Sequence, residues 1–278
     1  MAESSTESTQ PAASRRPRNE RSLYPREHGA SMELLFPLLS AFALGAPTLA
    51  GIALAISVIL VFVSHEAVLV LLGRRGEAFR RERGAEARRM VLAMLIPASL
   101  LGLGALLWLS SAARLAVIVP FVLAIPAWIV ALRGESQRTL PVELWVGTAL
   151  ASVALPVALD AGLSPERAIA LVLVWAVSHG LGTVAARAVL YRAKDGGRGL
   201  VVARVASLVL ALVCVGTTVA GTSMGSSLAW VAITPLPWAI CALYLASRPP
   251  PPTRMSAIGY GLVGASLVST ALVLGLPW

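Results

Sequence analysis

Nine apolar runs separated by short polar or charged connections fill almost the whole chain after its first thirty residues. They are Met32–Ala46, Gly51–Leu72, Met90–Leu109, Leu115–Leu132, Pro141–Leu159, Ala168–Tyr191, Leu200–Ala220, Leu228–Ala246 and Ser256–Leu276. Most have the roughly 20 residues that a helix needs to span the hydrocarbon core of a bilayer. The first is short for a span unless it begins near Gly29. The pattern predicts an all-α polytopic membrane bundle of about nine transmembrane helices over residues 23–278. Residues 1–22, rich in Ser, Thr, Pro and Arg, cannot bury enough apolar area to fold and read as a disordered cytoplasmic tail. They do not read as a cleaved signal peptide. The polar lead is long, and the first apolar stretch is followed by another span rather than by a soluble domain.

The charges fix a direction. Of the 23 basic residues, 21 fall before the first run, in loops 2–3, 4–5, 6–7 and 8–9, or on the helix ends beside them. Loop 2–3 alone carries Arg74, Arg75, Arg80, Arg81, Arg83, Arg88 and Arg89. Loops 1–2 and 7–8 carry no charge, loop 3–4 has Arg114, and loop 5–6 balances Asp160 and Glu166 against Arg167. Cytoplasmic loops collect Lys and Arg, so the expected topology is N-terminus cytoplasmic and C-terminus outside, in the cell inner membrane. Loop 2–3 also has opposite charges at helical spacing among Glu77, Arg80, Arg81, Glu82, Arg83, Glu86 and Arg89. A short amphipathic helix on the cytoplasmic surface is expected there, against anionic headgroups or as a lid.

Composition agrees. The chain is 57% hydrophobic with a mean hydropathy of +0.78. The net charge of +9 does not point to nucleic acid, because the basic residues flank apolar runs instead of clustering on a soluble face. Cys214 and Cys241 sit singly in apolar runs, with no metal-ligand spacing and no disulfide framework.

Two stretches echo each other. Met32-Glu33-Leu34-Leu35 opens the first run and Val142-Glu143-Leu144-Trp145 the fifth; Ser64-His65-Glu66 lies in the second and Ser178-His179-Gly180 in the sixth. With similar separations, runs one to four match runs five to eight, a parallel repeat with one helix left over.

Ionisable groups inside the hydrocarbon zone are costly, so each is a functional candidate. The set is Glu33, His65, Glu66, Glu143, His179 and Arg187, with Glu27 and His28 at the entry to the first run. Under the expected topology all lie in the cytoplasmic half, where they line one cytoplasm-facing cavity. His179, Thr183 and Arg187 share one helix face at i, i+4 and i+8. Three readings stay open: structural pairing, a proton or substrate path, and a metal site. No HxxxH, HExxH or ExxH spacing supports the metal, and no cofactor is expected.

Smaller signals add detail. Pro37, Pro97, Pro120, Pro126, Pro156, Pro235 and Pro237 are expected to kink their spans. Gly102, Gly104, Gly259 and Gly264 suit close helix packing. Trp108, Trp128, Trp145, Trp230, Trp238 and Trp278 mostly lie near span ends, as an aromatic belt does.

The residues Tyr24-Pro25-Arg26-Glu27-His28-Gly29-Ala30, followed by Met32-Glu33-Leu34-Leu35-Phe36-Pro37, resemble the opening of the YwiC-like family of bacterial membrane proteins. Members typically begin with Pro-x-x-His-Gly-Ala running into an apolar span with a proline. Ser31 stands where an aromatic residue is usual. The Arg-rich loop after the second run and the stretch Arg133–Glu143 are also similar to that family. The resemblance makes His28 and Gly29 signature residues, and it implies a bacterial integral membrane protein without naming an activity.

The architecture of nine spans with a polar pocket between spans two and six also resembles UbiA-type prenyltransferases. Those enzymes hold magnesium and a prenyl diphosphate with Asp-rich motifs on those spans. Here span two offers His65-Glu66, with Leu69 where a second acid would stand, and span six offers no acid before Asp195. A UbiA-like fold would therefore carry a degenerate metal site. Three functions follow as expectations. The first is a transport or lipid-handling protein that takes a lipid or small-molecule ligand into the polar cavity. The second is a UbiA-like prenyl-group transferase. The third is a non-catalytic subunit whose Arg-rich loop 2–3 docks a cytoplasmic partner.

Overall fold

The computed structural model describes residues 23, 28–133, 139–194, 197–223 and 231–276. Eleven α-helices follow one another in these residues: α1 (His28–Leu44), α2 (Leu49–Leu71), α3 (Glu77–Trp108), α4 (Ser111–Ala116), α5 (Ile118–Arg133), α6 (Leu140–Ser152), α7 (Ala154–Asp160), α8 (Pro165–Lys194), α9 (Arg198–Ser223), α10 (Leu236–Ser247) and α11 (Met255–Gly275). No strand occurs among the described residues. Every apolar run of the sequence is represented by helix. Seven described segments are long and apolar enough to cross a membrane: α2, α3, α4 with α5, α6 with α7, α8, α9 and α11. The first and eighth runs form shorter apolar helices, Ser31–Leu44 and Val231–Ser247.

The outside of the bundle is apolar, and small residues fill the buried faces of its peripheral helices. On α3, Leu92, Ile96, Leu100, Leu103 and Leu107 make an exposed stripe, while Ala87, Ala98 and Ala105 are buried. On α9, Val201, Val205, Leu208 and Leu212 are exposed, while Ala203 and Ala211 are buried. In water such stripes would be large exposed apolar patches. In lipid, which offers no hydrophobic gain for burying Leu, small residues at the contacts let helices approach closely. The protein is therefore built for a bilayer.

α8 is the central post. Of its apolar stretch 61% is buried, against 11% for α3, and it packs against α1, α6, α7, α9, α10 and α11. α3 pairs along α2 as a hairpin at the periphery. The two halves of the chain do not pair their helices alike: α6 and α7 run along α8, whereas α1 packs on α6, α7, α8 and α11.

Two prolines break their spans in the same way. α4 gives way to α5 at Val117, three residues before Pro120, and α6 gives way to α7 at Val153, three residues before Pro156. A proline brings no N–H and its ring crowds the carbonyl four residues back. Val117 (φ −58, ψ −26) and Val153 (φ −61, ψ −27) keep helical dihedrals, so each interruption is local and the span continues through it. Pro37, Pro97 and Pro126 sit inside the unbroken α1, α3 and α5. Pro235 caps α10 and Pro237 lies in its first turn, where a missing N–H costs nothing.

The Arg-rich stretch is helical but is not a separate surface helix. It forms the first turns of α3, which runs unbroken for 32 residues. Ion pairs Glu77–Arg80 and Arg83–Glu86 lie along it, and no helix breaker separates the charged turns from the apolar ones. The glycine expectation holds at one place only. A Cβ on Gly102 would meet Ser57 Oγ at 2.9 Å, whereas Gly104, Gly259 and Gly264 have nothing within 4 Å.

The loops sort into two ends. At one, Ala46 N donates to Ala161 O at 2.8 Å, and the Asp160 carboxylate accepts from Ser110 N at 3.0 Å and from the Thr48 hydroxyl. Thr48 is the N-cap of α2 and Ser110 the N-cap of α4, so one carboxylate sits at two positive helix ends. At the other, Arg74 donates to Leu132 O, Arg192 to Pro249 O, and Arg204 to Ala246 O at 2.8 Å and Ser247 O at 3.3 Å. Loops of like charge character meet like.

Candidate functional site

The polar residues of the central helices form two layers. In the layer nearer the Arg-rich end, Glu143 and Arg187 make a two-pronged ion pair: Arg187 Nε donates to Glu143 Oε2 at 2.7 Å and a second guanidinium nitrogen to Oε1. Glu143 lies in the first turn of α6, behind the N-cap Thr139 and Pro141, where a carboxylate meets the positive helix end. Arg187 lies near the end of α8 on the face shared by His179 and Thr183. Its side chain is 12% exposed and that of Glu143 34%, so the pair is shielded from water more at the arginine than at the acid.

One turn deeper, Gly147 of α6 separates Glu33 of α1 from His179 of α8. A Cβ on Gly147 would lie 3.5 Å from His179 Cβ and 3.6 Å from Glu33 Oε2. Both groups therefore lie against α6 at the same residue, with room between them and the backbone for about one methyl group. His179 is 2% exposed and hydrogen-bonds to the Gly147 backbone. A row of rings runs through it: Phe36 stacks on Trp175 with centroids 5.6 Å apart, Trp175 is 5.6 Å from His179, and Trp238 meets His179 edge-on at 6.3 Å.

The second helix carries its own contacts. His65 meets the Trp128 ring edge-on at 5.8 Å. Glu66 takes two hydrogen bonds from Arg75, one of them 2.9 Å from Nε. These contacts run to α5 and to the turn after α2. His28 opens α1, but its side chain, Glu27 and Asp195 lie outside the described residues. Among the described residues, no group of three or more His, Cys, Asp and Glu gathers as a metal site would.

Sequence reasoning missed four residues of this centre. Trp238 reads as an interface residue from its place near a run end, yet it is 6% exposed in the core. The reason is Gly182, whose missing side chain accepts the ring: a Cβ there would lie 2.2 Å from Trp238 Cζ3. Trp175 carries one readable signal, its i, i+4 spacing to His179. Gly147 and Gly182 carry none, since a glycine that opens a site looks in sequence like any other. Trp108, at 83% exposure, and Trp145, at 43%, do face outward. Asp160 was also missed, as its loop gave only a near-neutral charge count.

A family model described as YwiC-like protein matches residues 24–159, just under half of the chain. Glu33, His65, Glu66 and Glu143 fall within the matched stretch; His179 and Arg187 lie beyond it. No curated protein and no solved structure matches the chain.

Proposed function

We propose that this YwiC-like chain crosses the cell inner membrane nine times, N-terminus in the cytoplasm and C-terminus outside, and works as a transport protein with a cytoplasm-facing polar core. Glu33, His179, Glu143 and Arg187 form that core, His65 and Glu66 flank it on α2, and His28 lies at its mouth. One observation carries the reading: the most buried helix brings His179 to Glu33 across Gly147, one turn beyond the Glu143–Arg187 pair. Polar and charged groups at this depth cost several kcal/mol in hydrocarbon. Apolar side chains would hold three helices together without that cost. An imidazole beside a carboxylate suits the passage of a proton or of a small polar solute. The sorting of basic loops to one end supports the orientation, and the unbroken alternation of basic and near-neutral connections supports counting the two shorter helices as crossings.

The test is a flux assay in proteoliposomes with a trapped pH dye and an imposed membrane potential. Wild type is expected to dissipate the gradient faster than empty vesicles, and Glu33→Gln and His179→Asn to abolish the difference while the protein stays folded. Vesicle rates equal to empty controls, with a lipid bound in stoichiometric amount in native mass spectrometry, would replace transport by lipid handling. Single cysteines at Ser110 and Arg198, in a chain with Cys214 and Cys241 replaced by Ala, test the orientation; the topology requires labelling from opposite sides.

A second reading is favoured by α3. Its charged turns continue past the apolar ones, and Arg81, Arg88 and Arg89 are exposed there, as a docking surface for a cytoplasmic partner requires. Co-purification that vanishes when these three are neutralised would support it. Nothing comparable favours prenyl transfer.

A further inference from the structure

This inference rests on the transport reading and concerns what joins the polar groups of its core. Trp175, His179 and Trp238 are 0%, 2% and 6% exposed. Trp175 Nε1, His179 Nδ1 and Trp238 Nε1 are buried without a hydrogen-bond partner among the described residues. Buried polar atoms are nearly always satisfied, so three orphans in one row of touching rings call for a common explanation.

Their chemistry is complementary. An indole N–H only donates. His179 hydrogen-bonds to the Gly147 backbone, and a neutral imidazole that donates one N–H to a carbonyl keeps a lone pair on its other nitrogen. Nδ1 is thus an acceptor flanked by two donors. The ring centroids stand 5.6 Å and 6.3 Å apart, so the three ring nitrogens share one buried neighbourhood. A molecule that bridges them must accept from an indole and donate to an imidazole. A carboxylate only accepts and an ammonium only donates; water does both.

We propose that the Trp175–His179–Trp238 row holds ordered water, and that the open Cβ position of Gly147 continues it to the Glu33 carboxylate. The core is then a hydrated file along the most buried helix. The two tryptophans orient its water through their N–H groups on either side of His179, and the Glu33 carboxylate ends it.

The test is a structure of the full-length protein in lipid nanodiscs at a resolution that shows water, for wild type and Gly147→Ala. Wild type is expected to show density at hydrogen-bond distance, about 2.7–3.2 Å, from His179 Nδ1 and from at least one indole nitrogen, and a further peak between His179 and Glu33. The added methyl of Gly147→Ala meets its neighbours at ordinary contact distances of 3.5 Å and 3.6 Å, so the fold is retained, the Glu33-side peak is lost and the indole-side density stays. Ring nitrogens bonded directly to protein acceptors, or a dry row in wild type, overturn the proposal. Deuterium exchange at the two indole N–H groups, followed by resonance Raman with Trp175→Phe and Trp238→Phe for assignment, is an independent check: exchange within minutes is expected, and protection as long as that of core amides overturns the proposal. Water in place with no flux sinks the transport reading alone, and flux through a dry row sinks only this one.

Discussion

Replacing Gly182 by Ala puts a methyl group against the Trp238 ring, and the structure sets the scale of the damage. The new Cβ would lie 2.2 Å from Cζ3, 2.9 Å from Cε3 and 3.2 Å from Cη2. Carbon atoms rest at about 3.5–4.0 Å, so the ring must retreat by roughly 1 Å or more. Around it Leu181, Ala185, Ala211 and Ala242 are all buried in one cluster, and a packed core yields little. Overpacking of this kind costs about 1–3 kcal/mol. Against it, Gly to Ala in a helix gains roughly 0.4–1 kcal/mol by restricting the unfolded chain. The net is a loss of about 1–2 kcal/mol, roughly 5- to 30-fold in the folding equilibrium.

Gly216 and Gly264 are matched controls, since a Cβ on either meets nothing within 4 Å. Their Ala variants are expected to be neutral or slightly stabilised. The assay is reversible unfolding in mixed detergent and SDS micelles, followed by tryptophan fluorescence. Trp238→Leu removes the ring that the methyl strikes, so the penalty for Gly182→Ala should shrink in that background, with a coupling of about 0.5–3 kcal/mol. The reasoning is refuted if Gly182→Ala matches Gly216→Ala in stability, or if its penalty is unchanged in the Trp238→Leu background.

Breaking the Glu143–Arg187 pair at one end leaves a charge in the span, so Glu143→Leu should cost about 1–3 kcal/mol, discounted from a fully buried pair because Glu143 is partly exposed. The double Leu variant should recover much of that loss; detergent thermal melts that rank it below both single variants would reject the pairing. At the opposite end, Asp160→Ala removes the acceptor shared by Thr48 and Ser110 and is expected to lose about 1–2 kcal/mol. Melts of Asp160→Ala and Asp160→Asn against wild type check this, with Asn retaining part of the stability.

The membrane architecture was legible because it rests on long-range averages. Apolar runs give helices wherever enough hydrophobic residues follow one another, whatever packs against them. Pairing was less legible. Glu143 and Arg187 were both visible as intramembrane charges, and their bond follows from the packing of α6 on α8, which no spacing encodes. Glu66 is held by Arg75, nine residues away, a bond that depends on how α2 ends. Prolines were expected to kink their spans; the helix is interrupted three residues before Pro120 and Pro156 and continuous through Pro37 and Pro97, and the sequence around them does not tell these two cases apart. The centre around Gly147 and Gly182 was hidden for a simpler reason. Its shape is made by side chains that are missing.

The unbroken α3 has a consequence for how this protein tolerates changes of length. Charged turns and lipid-facing turns share one hydrogen-bonded rod of about 48 Å at the usual rise per residue. An inserted residue in a flexible connection is absorbed where it falls. Between Arg89 and Leu92 it would instead rotate the whole arginine face by about 100° relative to the stripe of Leu92, Ile96 and Leu100. Insertions and deletions in this stretch are therefore screws rather than slack: each one re-aims every charge before it.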